Sequence, residues 1–475
     1  MQSEYDVVIV GAGPAGILAA MEIIEQAETA GKSLQVAIIE RGNHIENRSC
    51  PSQAKGGPCR KCNPCRVMCG WGGSGAMSDG KLTLSPDMGG WLSDYLPRDD
   101  LIRLIDEVDE RFLSFGAPQD RLFKPEGNEV MEYKRKALMA GLELLIYPVR
   151  HIGTENTGKI LTRMYKWLID KKVNILLKTK VNQILVENRT AKGVIVDEGE
   201  VIRAKIVVIA SGREGANWLR LEAQRLGISL EESPVDVGVR VEIPAELSDP
   251  LTALFYDFKC YYHSSQFDQP VRSFCVCPHG EVVLECYEEV LTVNGHSCAD
   301  KNRQTDYTNF ALLVTSKFTE PFKEPIAYGK YIAGLANLLS DQSVIVQRLD
   351  DLKRGRRSTE TRLKRHRIPP TLKSAIPGDL SFVLPHRHLL SILEMLSVLD
   401  NLIPGVNGPH TLVYGVEAKF YSSRLKLDPS SFETKEIKNL FAIGDGAGIT
   451  RSLVQAGVCG IIAGRKIVEQ FINHS

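Results

Sequence analysis

The sequence has no excess of charge of either sign, because 58 Lys and Arg residues balance 58 Asp and Glu residues. A chain without a net positive charge has no general attraction for nucleic acid or for an anionic membrane surface. It also lacks an apolar run of about 18 residues, which a membrane-spanning helix would need. A strand-like stretch begins near Tyr5, which leaves no room for a signal peptide. We therefore expect a cytoplasmic protein that binds neither nucleic acid nor membrane.

Several catalytic patterns are missing as well. The sequence shows no Ser-His-Asp arrangement, no H-E-x-x-H motif and no internal repeat. A basic stretch from Arg348 to Arg367 is interrupted by acidic residues and has no interleaved aromatic residues. This composition favours a solvated face or the rim of a site for an anionic substrate over a nucleic-acid surface.

Three closely spaced glycines stand at the N-terminal end of the chain, between an apolar strand and an Ala-rich helical pattern. Gly11 suits a tight turn, Gly13 lets a pyrophosphate approach the backbone, and Gly16 lets the helix pack close to the strand. Pro14 and Ala15 then open the helix, whose free N–H groups and dipole favour a phosphate. The pattern predicts a dinucleotide site at this turn.

A second apolar strand, residues 34–40, ends in Glu40 and is followed by Arg41. Glu40 lies about 20–25 residues past the glycines, where a carboxylate accepts hydrogen bonds from an adenosine ribose. Only the G-x-G-x-x-G at 11–16 stands between a strand-like run and a helical pattern, because the second match, at 70–75, lies in a glycine-dense loop. A separate NAD(P) domain is therefore not predicted, and NAD(P)H is left open as a reductant.

The stretch Asn439 to Gly448 decides which dinucleotide is expected. Its Gly444-Asp445-Gly446 resembles the distal motif of flavoproteins with two dinucleotide-binding domains. That resemblance implies that Asp445 contacts the ribityl chain of FAD. It also implies that the following residues, which include Gly448, Ile449 and Leu453, approach N1 and O2 of the flavin. A helix N-terminus there would stabilise the negative charge of reduced flavin.

Two intermediate segments fit the same cofactor. Ser211 and Gly212 end a strand-like run that resembles the segment closing over the adenine side in such flavoproteins. The glycine-dense loop 70–80 resembles a loop that lies against the pyrophosphate and isoalloxazine. Its predicted FAD contacts are Gly72, Gly73, Ser74 and Gly75, whose backbone N–H groups suit an anion.

The chain as a whole resembles an uncharacterised bacterial and archaeal family of FAD-dependent dehydrogenases, of the NAD(P)/FAD-dependent oxidoreductase type. The matching stretches are 59–65 leading into 70–81, Phe274-Cys-Val-Cys-Pro-His-Gly-Glu-Val-Val283, Asn294-Gly295 and 408–417. The resemblance implies the fold, and it implies that FAD is the cofactor. His279 is a departure, since a Gly is expected at its position.

Five cysteines crowd into one short segment, and four of them have the spacing Cys59-x2-Cys62-x2-Cys65-x3-Cys69, with Cys50 upstream. The spacing is typical of a ferredoxin cluster segment, although Gly70 stands where Pro is expected. Four thiolates also suit zinc. Redox-active thiols and packed structural cysteines are further alternatives. An Fe–S cluster, a zinc site, redox-active thiols and structural cysteines are therefore four alternatives for this segment.

We predict an α/β fold with a Rossmann-like FAD-binding domain of the glutathione-reductase-like type. This domain should comprise residues 1–230 and 378–475, with a Cys-rich loop at 42–86. An inserted α+β substrate domain should comprise residues 231–377. Predicted helices include 98–115, 129–145 and 451–471. A small antiparallel meander is predicted within 181–209.

The predicted function is that of an FAD-dependent dehydrogenase or reductase, which transfers hydride between a small organic substrate and flavin N5. A single-component flavin monooxygenase is one alternative. An electron-transfer or redox-sensing flavoprotein that uses the cysteine segment is another. Candidate groups near the flavin are Arg451, which follows the Gly-Asp motif, and His386, His388 and His410.

Overall fold

A computed structural model of the protein describes residues 4–51, 59–231, 233–287, 289–318, 322, 324–366 and 368–473. Residues 52–58 of the predicted Cys-rich loop and Arg367 of the basic stretch lie outside the described residues. Within these ranges, no helix has the length and apolar character needed to cross a membrane.

The described chain alternates helices and strands over most of its length. The strands are β1 Glu4–Val10, β2 Val36–Glu40, β3 Lys81–Thr83, β4 Leu122–Phe123, β5 Glu143–Leu145, β6 Val149–His151, β7 Asn174–Leu177, β8 Val181–Glu187, β9 Thr190–Val196, β10 Glu200–Ile209, β11 Leu230–Glu231, β12 Val235–Pro244, β13 Lys259–His263, β14 Pro270–Cys277, β15 Glu281–Tyr287, β16 Val290–His296, β17 Tyr307–Ser316, β18 Ile345–Arg348, β19 Ile376–Pro377, β20 Leu412–Phe420, β21 Arg424–Leu425 and β22 Leu440–Ala442.

Helices of very different lengths connect these strands. The α-helices are α1 Pro14–Thr29, α2 Arg98–Ser114, α3 Asn128–Met139, α4 Thr154–Asp170, α5 Ala216–Leu226, α6 Ala245–Phe255, α7 Pro325–Leu339, α8 Leu349–Lys353, α9 Glu360–Lys364, α10 His386–Leu399 and α11 Leu453–Asn473. Short 3-10 turns lie at Ile45–Asn47, Ser74–Met77, Leu92–Asp94, Gln119–Arg121, Lys301–Arg303, Leu380–Phe382 and Asp445–Ala447.

The first sheet contains the N-terminal strand at its centre. Its order is β7-β2-β1-β10-β9-β8, and β22 also pairs with β10. Strands β7, β2, β1, β10 and β22 pair in parallel, whereas β10, β9 and β8 form the predicted antiparallel meander. Val7, Val8 and Ile9 are fully buried, as expected for a parallel strand covered on both faces.

The second sheet has eight strands in the order β19-β18-β20-β12-β17-β14-β13-β5. Its central strand β12 alternates Val or Ile with other residues, so its apolar side chains share one face. The opposite face is buried too, and it carries Asp236, Arg240 and Glu242. Buried polar groups require partners, and this polar face supplies much of the site described below.

Two details differ from the predicted organisation. Strand β20 (Leu412–Phe420) lies within the predicted nucleotide-binding segment 378–475, but it pairs with β12 in the second sheet. The predicted helix 129–145 ends at Met139, because Gly141 has a φ of +77° and turns the chain. The following residues then form β5, the edge strand of the second sheet.

Helices α1 and α11 bring the two ends of the chain together. An added Cβ at Gly460 would overlap the backbone of Ala15, so the two helices pack with their backbones in close approach. Both helices contribute to the same apolar core as the first sheet. The beginning of α11 therefore lies near the glycine turn that starts α1.

Candidate functional site

The first cleft lies at the carboxyl ends of the central parallel strands of the first sheet. Gly11, Glu40, Arg41 and Ser211 are among the residues that line it. The chain moves from β1 to β2 on one side, and β10 later adds to the other side of β1. In open parallel sheets, ligands bind at such a switch point.

Two of the predicted glycines are required for different reasons. Gly11 has a φ of +107°, and an added Cβ would overlap the Ala210 carbonyl oxygen. Gly13 precedes α1, and the atom nearest to an added Cβ there would be Gly73 Cα, at 4.0 Å. Gly11 is therefore needed by the fold itself. Gly13 instead leaves space in which a phosphate can approach the free N–H groups at the start of α1.

Glu40 lies in the first cleft and also holds the surrounding backbone. Its Oε1 accepts hydrogen bonds from the N–H groups of Gly42 at 2.8 Å and Gly70 at 2.9 Å. Its Oε2 accepts from the N–H of Ala12 at 3.0 Å. Glu40 therefore ties the glycine turn to the glycine-dense loop, a task separate from the predicted ribose contact.

The glycine-dense loop packs directly onto the glycine turn. The N–H of Gly72 donates to the Ala12 carbonyl at 2.7 Å, and an added Cβ at Gly73 would lie 3.1 Å from Gly13 Cα. Buried Arg48 donates to the carbonyls of Trp71 at 2.8 Å and Gly73 at 2.7 Å. The loop is therefore held in a single shape by hydrogen bonds within the chain.

The second cleft continues from the first one toward the polar face of the second sheet. Residues that line both clefts are Gly13, Gly73, Ser74, Ala210, Gly212 and Arg213. The second cleft has a volume of about 470 Å³, within the usual range of small-molecule sites. The two clefts together form one continuous groove from Glu40 to the second sheet.

The distal signature lies on the second cleft. Its lining includes Gly444, Asp445, Gly448 and Leu453, together with Pro14, Ala15 and Gly75 from the N-terminal part. Asp445 Oδ1 accepts a hydrogen bond from Thr450 Oγ1 at 2.7 Å, and Oδ2 lies 3.8 Å from Arg213 Nε. Burial raises the pKa of the Asp445 carboxyl. The structure thus brings residues separated by more than 400 positions in the sequence to one groove.

Three predicted cofactor residues do not line either cleft. An added Cβ at Gly16 would overlap the Gly11 carbonyl oxygen, so Gly16 serves helix packing. An added Cβ at Gly72 would overlap the Leu161 side chain, and Ile449 is fully buried. These three residues support the groove from behind.

Arg451 lies in the second cleft between two aromatic rings. Its guanidinium carbon is 3.7 Å from the centroid of the Trp91 ring and 3.3 Å from that of Tyr421. Its Nε and Nη2 atoms are buried and have no hydrogen-bond partner among the described residues. Burial lowers the pKa of Arg451. In the first cleft the buried Ser211 hydroxyl likewise lacks a partner within the described chain.

Most cations of the second cleft are balanced by carboxylates. The pairs are Lys81 with Asp79 at 3.3 Å, Lys419 with Glu417 at 3.1 Å, Arg213 with Asp445 at 3.8 Å, and Arg272 with Asp236. Lys259 and Arg451 are the exceptions, since neither forms an ion pair with a described residue, and the Lys259 ammonium lies 5.0 Å from the centroid of the Phe274 ring. Burial, with help from Arg272, lowers the pKa of Lys259 to about 7.

Cys275 adds a thiol to the wall of the second cleft. Lys81 Nζ lies 3.6 Å from its Sγ. A hydrogen bond with Cys277, followed by the charge of Lys81, lowers the pKa of Cys275 well below its ordinary value. Cys277 in turn contacts Arg240 Nη2 at 3.2 Å.

The three predicted catalytic histidines lie away from the clefts. His386 and His410 are exposed to solvent. His388 is buried, and its Nε2 is 2.8 Å from Ser316 Oγ. None of the three lines either cleft, so of the four catalytic candidates only Arg451 is placed where it can meet a ligand.

The crowded cysteines do not converge on one centre in the described chain. No group of three or more His, Cys, Asp or Glu residues suited to a metal ion occurs among the described residues, and all eleven cysteines are free thiols. Cys69 lines the first cleft and accepts a hydrogen bond from Arg41 at 2.9 Å, while burial raises its pKa to about 12. A hydrogen bond from Cys286 lowers the pKa of Cys59 to about 6. Fe–S, zinc and thiol redox chemistry at Cys50, Cys59, Cys62, Cys65 and Cys69 stay predictions.

Sequence reasoning did not identify the residues that the second sheet contributes. These are Lys259, Arg272, Phe274, Lys419 and Tyr421, each on or just after a strand of that sheet. The sequence does contain a relevant pattern, because charged residues recur at alternating positions of the strand-like runs. Such residues are ordinarily expected on the solvent-facing side of a sheet. Lys81 and Arg213 carried no such signal.

Comparison with known proteins bears directly on the second sheet. Residues 234–420 match a family described as FAD-dependent protein, C-terminal domain-like. The match confirms, for these residues, the predicted resemblance to FAD-dependent proteins. The range also agrees with the assignment of β20 to the second sheet.

Two further relatives match this chain, one over nearly its whole length and one over a short segment. An uncharacterised protein from Clostridium beijerinckii is 26% identical over 485 residues, which cover 98% of this chain and 81% of that protein. The electron transfer flavoprotein-ubiquinone oxidoreductase of Pseudomonas aeruginosa is 48% identical over 42 residues, only 9% of this chain and 8% of that protein.

Among solved structures, glycine oxidase from Geobacillus kaustophilus is similar with a TM-score of 0.41 and 12% identity. The match covers 98% of this chain and 95% of that one. The mixed α/β fold is confirmed by the sheets themselves, while the glutathione-reductase-like subtype stays a prediction.

Proposed function

We propose that the continuous groove holds FAD, with its adenosine end in the first cleft and its flavin end in the second, and that the enzyme oxidises or reduces a small organic substrate there. The single observation that carries this proposal is the continuity of the groove. It joins the glycine turn and Glu40 to Gly444, Asp445 and the start of α11.

The residues present fit such a cofactor. Gly13 leaves room beside the free N–H groups of α1, and Ser211 offers a buried hydroxyl without a partner among the described residues. Asp445 offers a buried carboxylate oxygen beside Arg213. These are donors and acceptors suited to phosphate, ribose and ribityl groups.

In this arrangement the chain positions and shields the reacting groups. Bound FAD would supply hydride transfer to or from the substrate at its N5 atom. Glu40 and Arg48 hold the glycine-dense loop over the groove. The beginning of α11 supplies partial positive charge near Leu453. The rings of Trp91 and Tyr421 hold the Arg451 guanidinium between them at one side of the second cleft.

Gly13→Ala offers a direct test of the proposed cofactor site. The added methyl group meets no atom of the chain closer than 4.0 Å, so the free energy of unfolding should change by less than about 1 kcal/mol. The methyl group would instead occupy the space of a phosphate, and we expect FAD binding to weaken roughly tenfold or more. FAD binding is measured by flavin absorbance and by titration of the FAD-free protein.

Two further glycines provide the controls. Gly334→Ala, where an added Cβ meets nothing within 4 Å, should leave FAD binding unchanged. Gly11→Ala should lower the melting temperature because of its overlap with Ala210. Equal FAD affinity in Gly13→Ala and the unaltered protein would contradict the proposed site, as would the failure of the unaltered protein to bind FAD.

The monooxygenase and electron-transfer alternatives, and NAD(P)H as the reductant, stay predictions from the sequence. The cytoplasmic location is likewise a prediction from the sequence.

A further inference from the structure

Lys259 is a buried lysine without an ion pair among the described residues. It is 6% exposed and lines the second cleft. Its ammonium makes no hydrogen bond and no ion pair with any residue that the structure describes; it lies 5.0 Å from the centroid of the Phe274 ring, and the charge of Asp257 acts on it without a direct contact. Removing an ammonium from water without a counter-charge is costly. A lysine in this position therefore indicates an anion that enters from outside the chain.

Arg451 presents a second set of unused donors to the same cleft. The rings of Trp91 and Tyr421 cover the two faces of its guanidinium, which stabilises the charge through cation–π contact. Ring faces do not satisfy N–H groups that point outward in the guanidinium plane. The buried Nε and Nη2 atoms thus leave one edge of Arg451 free for a planar, bidentate acceptor.

Lys259 and Arg451 belong to one continuous group of side chains. The Arg272 guanidinium lies 4.8 Å from the centroid of the same Phe274 ring that Lys259 contacts. Arg272 also donates a hydrogen bond at 2.8 Å to the hydroxyl of Tyr421, whose ring covers Arg451. Arg272 itself is neutralised by Asp236. Lys259 and Arg451 are therefore the cations of this wall that have no ion pair among the described residues.

We propose that Lys259 and Arg451 form a subsite for the carboxylate of an organic acid, which is the substrate class of the second cleft. This inference rests on the proposed function, because it concerns the substrate that meets the flavin end of the groove. A carboxylate matches the side-on edge of Arg451 in a bidentate manner. The rings of Trp91, Phe274 and Tyr421, which lie around the two cations, suit an acid with an apolar body.

The subsite has a predictable pH dependence. Burial lowers the pKa of Lys259 to about 7, with Arg272 and Lys81 lowering it further and Asp257 and Cys275 opposing them. Lys419 is the remaining charge that faces the Phe274 ring. Lys259 carries its positive charge below about pH 7 and loses it above. Carboxylate affinity should therefore be full near pH 6 and fall by up to tenfold per pH unit above pH 7.

The test is calorimetric titration of the FAD-loaded protein with benzoate, neutral benzamide and inorganic phosphate as probes. We expect benzoate to bind more tightly than both other probes. Lys259→Met should weaken benzoate binding at pH 6 by about tenfold or more. Lys259→Arg should retain binding at pH 6 and lose its decline between pH 7 and 9. Lys166→Met removes an exposed lysine outside the cleft and should change nothing.

The outcomes separate this inference from the proposed function. Flavin absorbance and melting temperature of each variant show whether it folds and holds FAD, and removing an unpaired buried charge should not lower the melting temperature. Equal affinity for benzoate and benzamide, tighter binding of phosphate, or an unaltered benzoate affinity in Lys259→Met would overturn the carboxylate subsite while FAD stays bound. Absence of FAD from the unaltered protein would overturn the proposed function instead.

Discussion

At the scale of single residues, Glu40 joins three backbone segments. It accepts hydrogen bonds from Ala12, Gly42 and Gly70, and it is buried. Glu40→Gln replaces one carboxylate oxygen by an NH2 group that cannot accept from these N–H groups. We expect the free energy of unfolding to fall by about 1–3 kcal/mol and the FAD affinity to fall with it, as measured by denaturation and by flavin titration.

The neighbouring acid Glu46 supplies the control for this change. Its side chain is 71% exposed, so Glu46→Gln should leave stability within about 0.5 kcal/mol of the original. If Glu40→Gln were as stable as Glu46→Gln, the three hydrogen bonds would have no role in holding the loop.

Residues that act through the local backbone could be predicted from the sequence, whereas residues that act together across the fold could not. Gly11 and Gly13 follow directly from the geometry of a strand-turn-helix unit. Lys259 and Arg451 are separated by 192 positions. They line the same cleft only because β13 and the segment before α11 both border it, which no local pattern encodes.

At the scale of elements, helix α10 is fixed to β17 through His388. The ring is 3% exposed, its Nε2 contacts Ser316 Oγ at 2.8 Å, and burial lowers its pKa to about 4. An unfolded histidine has a pKa of about 6.5, so below that pH the unfolded chain takes up a proton that the folded protein excludes. The contribution of His388 to stability is therefore present above about pH 6.5 and is lost as the pH falls toward 4.

His388→Gln keeps a hydrogen-bonding side chain but does not titrate. Between pH 7 and pH 5 the unaltered protein should lose about 2 kcal/mol more unfolding free energy than His388→Gln, as measured by chemical denaturation at both pH values. His386→Gln, a change at an exposed residue of the same helix, should follow the unaltered protein. An identical pH dependence in all three proteins would show that His388 is not the group responsible.

Two predicted helices show what a sequence pattern can and cannot predict. The helix 98–115 is found as α2 within one residue of its prediction, since its apolar period is strong. The predicted helix 129–145 was too long, because an apolar run after Gly141 becomes an edge strand of the second sheet. The last turn of a helix and a short strand have similar composition, and tertiary pairing decides between them.

At the scale of the whole molecule, the fold depends on contact between the two ends of the chain. The N-terminal turn and the C-terminal signature were predicted to share one cofactor, and the structure places both on one groove. The domain boundary was harder to predict. Strand β20 lies late in the sequence beside the C-terminal signature, and only its pairing with β12 assigns it to the second sheet.

Glu22 is the buried charge that links these two ends. It lies on α1 and is fully buried, where it accepts a hydrogen bond from Arg465 Nε on α11 at 2.8 Å and pairs with Arg111 on α2. Glu22→Gln removes the carboxylate charge between two arginines, and a buried ion pair broken on one side loses about 3 kcal/mol of stability. Because α1 and α11 both begin at the groove, FAD affinity should fall as well.

Glu28→Gln, on the same helix, is the matched control. Glu28 is half exposed and pairs with Lys171 at 2.7 Å on the surface, so its loss should change stability by less than about 0.5 kcal/mol. Melting temperature and flavin titration of both variants distinguish the two roles. If Glu22→Gln behaved like Glu28→Gln, packing of α1 on α11, with Gly460 against Ala15, would be sufficient to join the two ends of the chain without the buried charge.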